Sequence, residues 1–281
     1  MRGTRFVLPG VKLCLIYIHY NTTSILPFPC CKNNPYKVSF SQYTLYIIQV
    51  PLHRTKKQHI MRKIIVTSFV TLDGVLQAPG APSEDTTQGF KWGGWSARYG
   101  DDQTNETIGG IMSGAFDLLL GRRTYEIFSA YWPYQENHPV AEKFNAVQKF
   151  VVSGKQPPLE WVNSTLISGD VAAGIRALKQ QDGPDLHVWG SSRLIQTLLA
   201  NNLVDKLYVL TYPVTVGKGK RLFDGGSKAE SWKLVSAKVS GKGVIIGEYE
   251  PAGELVTGTV GGETTPSEAE LTRRKRWAQE G

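Results

Sequence analysis

Three stretches of the chain set small, hydroxylated and basic residues directly behind apolar runs. They are Gly121-Arg122-Arg123-Thr124 after "FDLLL", Ser153-Gly154-Lys155 after "KFVV", and Gly190-Ser191-Ser192-Arg193 after "LHVW". Where such a run is a strand and a helix follows, the first helical N–H groups have no partner, and the helix dipole adds positive character. An anion is the natural occupant. A glycine lets a phosphate approach the backbone, Ser and Thr hydroxyls donate, and an arginine can fork onto phosphate oxygens. Two such starts on neighbouring strands suit a pyrophosphate. Taken singly, each is equally an ordinary turn or N-cap.

Ser153 supplies a hydroxyl at a strand end, and Arg122, Arg123 and Lys155 supply charge. That combination suits an adenosine 2′-phosphate and favours NADP over NAD. The G-x-G-x-x-G dinucleotide fingerprint and the Walker A pattern are both absent, as is the H-x-E with P-C-x-x-C of zinc deaminases. Cys30 and Cys31 are adjacent rather than spaced as ligands, so no metal site is expected. Asp73-Gly74 lies just beyond the first apolar strand, as a polar anchor or an Asp-Gly turn. Trp92 and Trp95, in "KWGGW", either stack on a flat heterocycle or cover the core. The glycine-punctuated basic run Pro213 to Phe223 reads as a turn-rich connection, and His138 and His187 have no partner that the sequence names.

The elements that must position these residues occupy the middle of the chain. Residues 1–60 hold eight Lys/Arg, all three cysteines and no acid, leaving 24 basic and 24 acidic residues in 61–281. The +8 formal charge is therefore no argument for nucleic acid. The apolar run 13–18 is too short to span a membrane, which takes about 20 residues. Residues 1–60 read as an unstructured leader ahead of a start at Met61, with an organelle transit peptide as the alternative. Residues 251–281, rich in Gly, Thr and Glu, read as a disordered tail. A cysteine-free body suits the cytoplasm. Between them, 61–250 alternates strand and helix from "RKIIVTSFV" onward, with a long loop over 73–100 and a hairpin of strands at about 231–239 and 243–250. The expectation is an α/β domain with a mixed, mostly parallel sheet flanked by helices, its ligands beyond the carboxyl ends of the strands.

The motifs "TLDG", "GRRTYE", "FVVSGK", "VWGSSRLIQTLL" and "LVDKLYVLTYPVTVGKGKRLF", in that order, resemble the dihydrofolate reductase-like superfamily. Within it, the chain looks most like the C-terminal reductase domain of the bifunctional riboflavin-biosynthesis deaminase-reductase. The resemblance covers about 61–250 and implies a dihydrofolate reductase-like fold with NADPH as hydride donor. It implies phosphate contacts at Gly121, Arg122, Arg123 and Thr124, and Ser153 and Lys155 near the 2′-phosphate. Gly190, Ser191, Ser192, Arg193 and Leu194 would wrap the pyrophosphate and nicotinamide. The acceptor would be a small flat heterocycle of the 5-amino-6-(5-phosphoribosylamino)uracil type, and water, Glu106 or Asp73 would deliver the proton. The alternatives are an authentic dihydrofolate reductase and a non-catalytic NADP(H)-binding module. Related folds pair into homodimers, but no stripe in the sequence requires it. Where relatives carry a glycine pair or triplet, this chain has Gly190-Ser191-Ser192, and serine forbids the most strained backbone angles open to glycine but adds donors.

Overall fold

The structure, a computed structural model, describes residues 14–20, 36–40, 43–49, 61–224, 227–262 and 265–280. The chain divides into two compact units, Met1–His59 and Ile60–Gly281. In the first, β1 (Cys14–Tyr20), β2 (Tyr36–Phe40) and β3 (Tyr43–Gln49) form an antiparallel sheet in the order β1-β3-β2. The sequence reading expects no regular structure there, since no apolar period is sustained. The three runs are nonetheless rich in Tyr, Ile, Leu and Val, which fit strands whatever their alternation. The rest of 1–60 lies outside the described residues.

The second unit is built on an eight-stranded sheet. Its strands are β4 (Ile64–Thr71), β5 (Phe116–Gly121), β6 (Lys149–Val152), β7 (Ser164–Ile167), β8 (Asp185–Trp189), β9 (Lys206–Tyr212), β10 (Glu230–Val239) and β11 (Ile245–Glu254). Their order is β10-β11-β9-β4-β8-β5-β6-β7. Every pairing from β9 across to β7 is parallel, whereas β11 runs antiparallel to both β9 and β10. The expected mixed, mostly parallel sheet with a terminal hairpin is therefore observed. Helices α1 (Asp102–Ile111), α2 (Arg122–Ser129), α3 (Pro139–Ala146), α4 (Val171–Lys179) and α5 (Ser192–Ala200) complete the α/β alternation.

Parallel strands covered on both faces need near-continuous apolar sequence, and "IIV" and "LLL" supply it. On one face Ile64, Val66, Leu186, Val188 and Leu207 pack with Ile175 and Leu178 of α4 and with Leu194, Ile195 and Leu198 of α5. On the other, Phe116, Leu118 and Leu120 pack with Tyr125 of α2 and Phe144 of α3. At the entry ends of the strands the buried Arg62 pairs with Asp117, donates from Nε to the Pro184 carbonyl at 2.5 Å and lies over the Phe150 ring. Lys149, fully buried at the start of β6, donates from Nζ to the Asn145 and Val147 carbonyls, each at 2.9 Å, above the Trp161 ring. Burial pushes its ammonium down to about 8.

The segment 251–281 also differs from the expected disorder. β11 runs on to Glu254, and α6 (Glu268–Glu280) follows, with no buried residue. Ser267 Oγ caps α6 by accepting from the Glu270 N–H, and Glu270 pairs with Arg273 and Arg274 one turn on. Local pairs of this kind support a helix without the apolar period on which the sequence reading relied. Among the described residues, no helix is long and apolar enough to cross a membrane.

Candidate functional site

β5 and β8 are parallel neighbours, so their carboxyl ends bring two of the three sequence-selected junctions together. Gly121 ends β5 and caps α2, and Ser191 caps α5 after β8. The Ser191 hydroxyl joins them. It accepts from the Gly121 N–H at 2.9 Å and donates to Thr124 Oγ1 at 2.6 Å. A side chain at Gly121 would bring its Cβ to 3.1 Å from both Ser191 Cβ and Oγ, so any larger residue would have to push Ser191 back by a few tenths of an ångström.

Gly190 and Ser191 both adopt left-handed angles, at φ +73° and +72°. The cost of αL at a non-glycine residue, about 1–2 kcal/mol, is offset by two side-chain bonds that glycine could not make. No atom lies within 4 Å of where a Gly190 Cβ would sit, leaving open space beside the junction.

Neither helix start has a side-chain cap. The first intrahelical bond of α5 runs from the Ile195 N–H to the Ser191 carbonyl, so the N–H groups of Ser192, Arg193 and Leu194 precede it. The Leu194 side chain itself is buried in the core, so only its backbone can face a ligand. Arg122 pairs with Glu126 at 2.6 Å, and Arg123 donates to Thr87 Oγ1 at 2.9 Å. Ser153 is buried at the end of β6, its Oγ accepting from the Lys155 N–H at 3.0 Å, while Lys155 is exposed. These donors fit a phosphate-bearing dinucleotide: two uncapped helix starts side by side, an open flank at Gly190, and arginines held only by surface partners.

Asp73 is engaged by its neighbours. Its carboxylate accepts from the Thr71 hydroxyl at 2.5 Å and from the Val216 and Gly217 N–H groups at 3.3 and 2.8 Å, with Arg221 at 3.9 Å. Burial works against ionisation, but these bonds outweigh it and hold the carboxyl below its usual range. Asp73 thus latches the 213–222 connection to the end of β4. Trp95 packs edge-on against Tyr212 at 5.3 Å and donates to the Gln77 carbonyl, which makes it part of the loop's core, whereas Trp92 is 63% exposed.

The long loop is tied down by residues the sequence did not single out. Gln77 donates to the Asp85 and Thr87 carbonyls, and Lys220 pairs with Asp85 and donates to Thr87. Through Thr87 the loop also reaches Arg123, so it meets the first phosphate candidate directly. Glu106 lies elsewhere. It is exposed on α1 and lines a cavity of about 330 Å³ with Thr107, Tyr208, Ser236, Lys238 and Glu248. His187 stacks on Phe116 at 4.5 Å, and burial pushes it down to about 4.

Comparison with known proteins bears on this arrangement. The chain is 25% identical over 189 residues to YyaP of Bacillus subtilis, covering 66% of this chain and 92% of that protein. It is 24% identical over 190 residues to YwjB of the same organism, covering 66% and 96%. Both are described as uncharacterized. A structure from Shewanella sp. PV-4, described as that of a riboflavin biosynthesis protein, matches 67% of this chain and 98% of its own with a TM-score of 0.50 at 18% identity, which speaks to the fold. The family model of the RibD C-terminal domain matches residues 62–246, from the entry of β4 into β11 and through both junctions. The chain belongs to the RibD C-terminal domain family.

Proposed function

We propose that this chain is an NADPH-dependent reductase that delivers hydride to a flat heterocyclic acceptor. The observation that carries the reading is the pair of uncapped helix starts, α2 and α5, joined through Ser191. The N–H groups of Arg122 to Thr124 and of Ser192 to Leu194 would hold the pyrophosphate. Arg122, Arg123, Ser153 and Lys155 would hold the 2′-phosphate that separates NADPH from NADH. Bound NADPH would supply the hydride; the protein's part is to position and shield.

The loop bound at Thr87, Asp85 and Lys220 reaches the start of α2 through Arg123, where it would limit water at the reacting face. Asp73 stays ionised and keeps the 213–222 connection in place, so solvent would provide the proton.

Titration of the full chain with NADPH, followed by protein-fluorescence quenching and energy transfer to the nicotinamide, tests the reading. The expected result is saturable binding, with NADH at least tenfold weaker. No saturable NADPH binding would overturn it.

A further inference from the structure

The Thr87 hydroxyl has its whole hydrogen-bonding capacity in use. A hydroxyl offers one donor and two acceptor positions. Thr87 Oγ1 donates to Asp85 Oδ1 at 2.5 Å and accepts from Arg123 Nη1 and Lys220 Nζ, each at 2.9 Å. Asp85 Oδ1 also accepts from the Thr87 N–H at 3.1 Å, and the Thr87 carbonyl accepts from Gln77 Nε2 at 3.1 Å. Backbone and hydroxyl are therefore fixed together. Directly behind Thr87 the chain turns through two left-handed residues, Gln88 at φ +60° and Gly89 at φ +70°. Such angles are uncommon for a residue with a side chain, so the bonds at Thr87 are what hold the loop in this course.

The charges around that hydroxyl do not balance. Arg123 and Lys220 meet the same oxygen, so their bonded nitrogens lie no further apart than twice the bond length. The carboxylate beside them, Asp85, pairs with Lys220. Burial works against ionisation of Asp85, but its bonds to Lys220 and Thr87 outweigh it and hold the carboxyl below its usual range. Arg122 is neutralised by Glu126 on its own helix at 2.6 Å. Arg123 has no carboxylate partner among the described residues, and its bond to Thr87 is to a neutral group. It also stands in the first turn of α2, where the helix dipole disfavours a cation. A guanidinium fixed near a second cation without a counter-ion is an arrangement that an anion relieves.

We propose that Thr87 is a positioning residue for Arg123. Its hydroxyl, oriented by Asp85 and Lys220, takes one guanidinium N–H and leaves the other donors for a phosphate of the cofactor. This assignment rests on the reductase reading. A free arginine loses many rotamers when it grips a ligand, whereas one already held loses fewer. Thr87 would thus raise affinity without touching the dinucleotide, and two segments remote from α2 in sequence, the long loop and the 213–222 connection, would set how well α2 binds.

A double-mutant cycle on the full chain, read by NADPH titration of protein fluorescence, tests the assignment. Thr87→Val keeps the side-chain shape and removes all three hydroxyl bonds, so NADPH should bind about three- to tenfold more weakly. Thr87→Ser restores the hydroxyl and should bind as the parent does. In an Arg123→Gln background Thr87→Val should change the affinity no further, whereas in an Arg122→Gln background its full effect should persist. A change that merely loosened the loop would weaken binding by the same factor in both backgrounds. Parent-like affinity in Thr87→Val, no rescue by Thr87→Ser, or an undiminished effect in Arg123→Gln would each overturn the assignment while leaving the reductase reading in place. No saturable binding by the parent chain would overturn both.

Discussion

Replacing Ser191 isolates the two terms that hold the junction. Alanine keeps the left-handed backbone but removes the bonds to the Gly121 N–H and to Thr124 Oγ1. A lost bond of this kind costs about 1 kcal/mol net, and leaving the half-buried Gly121 N–H without an acceptor raises its share to about 1–3. Ser191→Ala should therefore destabilise by about 2–4 kcal/mol. Glycine loses the same bonds but relieves αL strain of about 1–2 kcal/mol, while adding about 0.5–1 kcal/mol of backbone entropy. Ser191→Gly should consequently lie about 0.5–1 kcal/mol above Ser191→Ala in stability, and still below the parent. Urea unfolding checks this through midpoints at constant m-value. If alanine matches or exceeds glycine, or both lie within 0.5 kcal/mol of the parent, the strain-against-bonding account of the junction is wrong. A charge tests the ligand separately: Ser191→Asp should lower NADPH affinity by at least a hundredfold.

Removing one partner of the buried Arg62–Asp117 pair strands the other. Arg62→Ala or Asp117→Ala should each cost about 3–5 kcal/mol in urea unfolding, and Arg62→Met with Asp117→Leu should recover much of it. For His187 the folded pKa of about 4 lies below the unfolded value of 6.5, so between them the unfolded chain binds more protons. Stability is expected to fall as pH drops through that window, and His187→Phe should flatten the fall in melts taken at pH 4 to 7. Lys149, lowered from 10.5 to about 8, has the same sign: stability should rise between those values, and Lys149→Met should remove the rise. Asp73→Ala takes away the acceptor for Gly217 and Val216, and limited trypsin digestion should then cut faster at Lys218 to Arg221.

The α/β alternation was legible because buried parallel strands write themselves as unbroken runs such as "DLLLG" and "LHVWG", each closed by a glycine. The two junctions were legible as strand-to-helix turns for the same reason, although each taken singly reads equally as an ordinary turn or N-cap. The Ser191 bridge was not. Nothing in the spacing of Gly121 and Ser191, seventy residues apart, says that β5 and β8 are neighbours. Long-range polar ties share that opacity: Lys220 to Asp85, Arg62 to Asp117, and Asp73 to Gly217 are each between residues that locally read as turn or surface. Asp73 read as a polar anchor or a turn from its position alone, and its bonds to Val216 and Gly217 became visible only with the fold.

The hydrogen bond from Gly121 to Ser191 also makes the proposed cofactor cradle a joint product of two stretches of chain. One carries β4 to β6 and the other β7 to β11, with the exposed turn around Gly154–Glu160 between them. Neither stretch holds a phosphate cradle alone. A dinucleotide that bridges both would act as a clasp on the two halves, adding stability that grows with the logarithm of its concentration. A chain severed at that turn should then reassemble more readily with the cofactor present, so that binding becomes a driver of association as well as a prelude to chemistry.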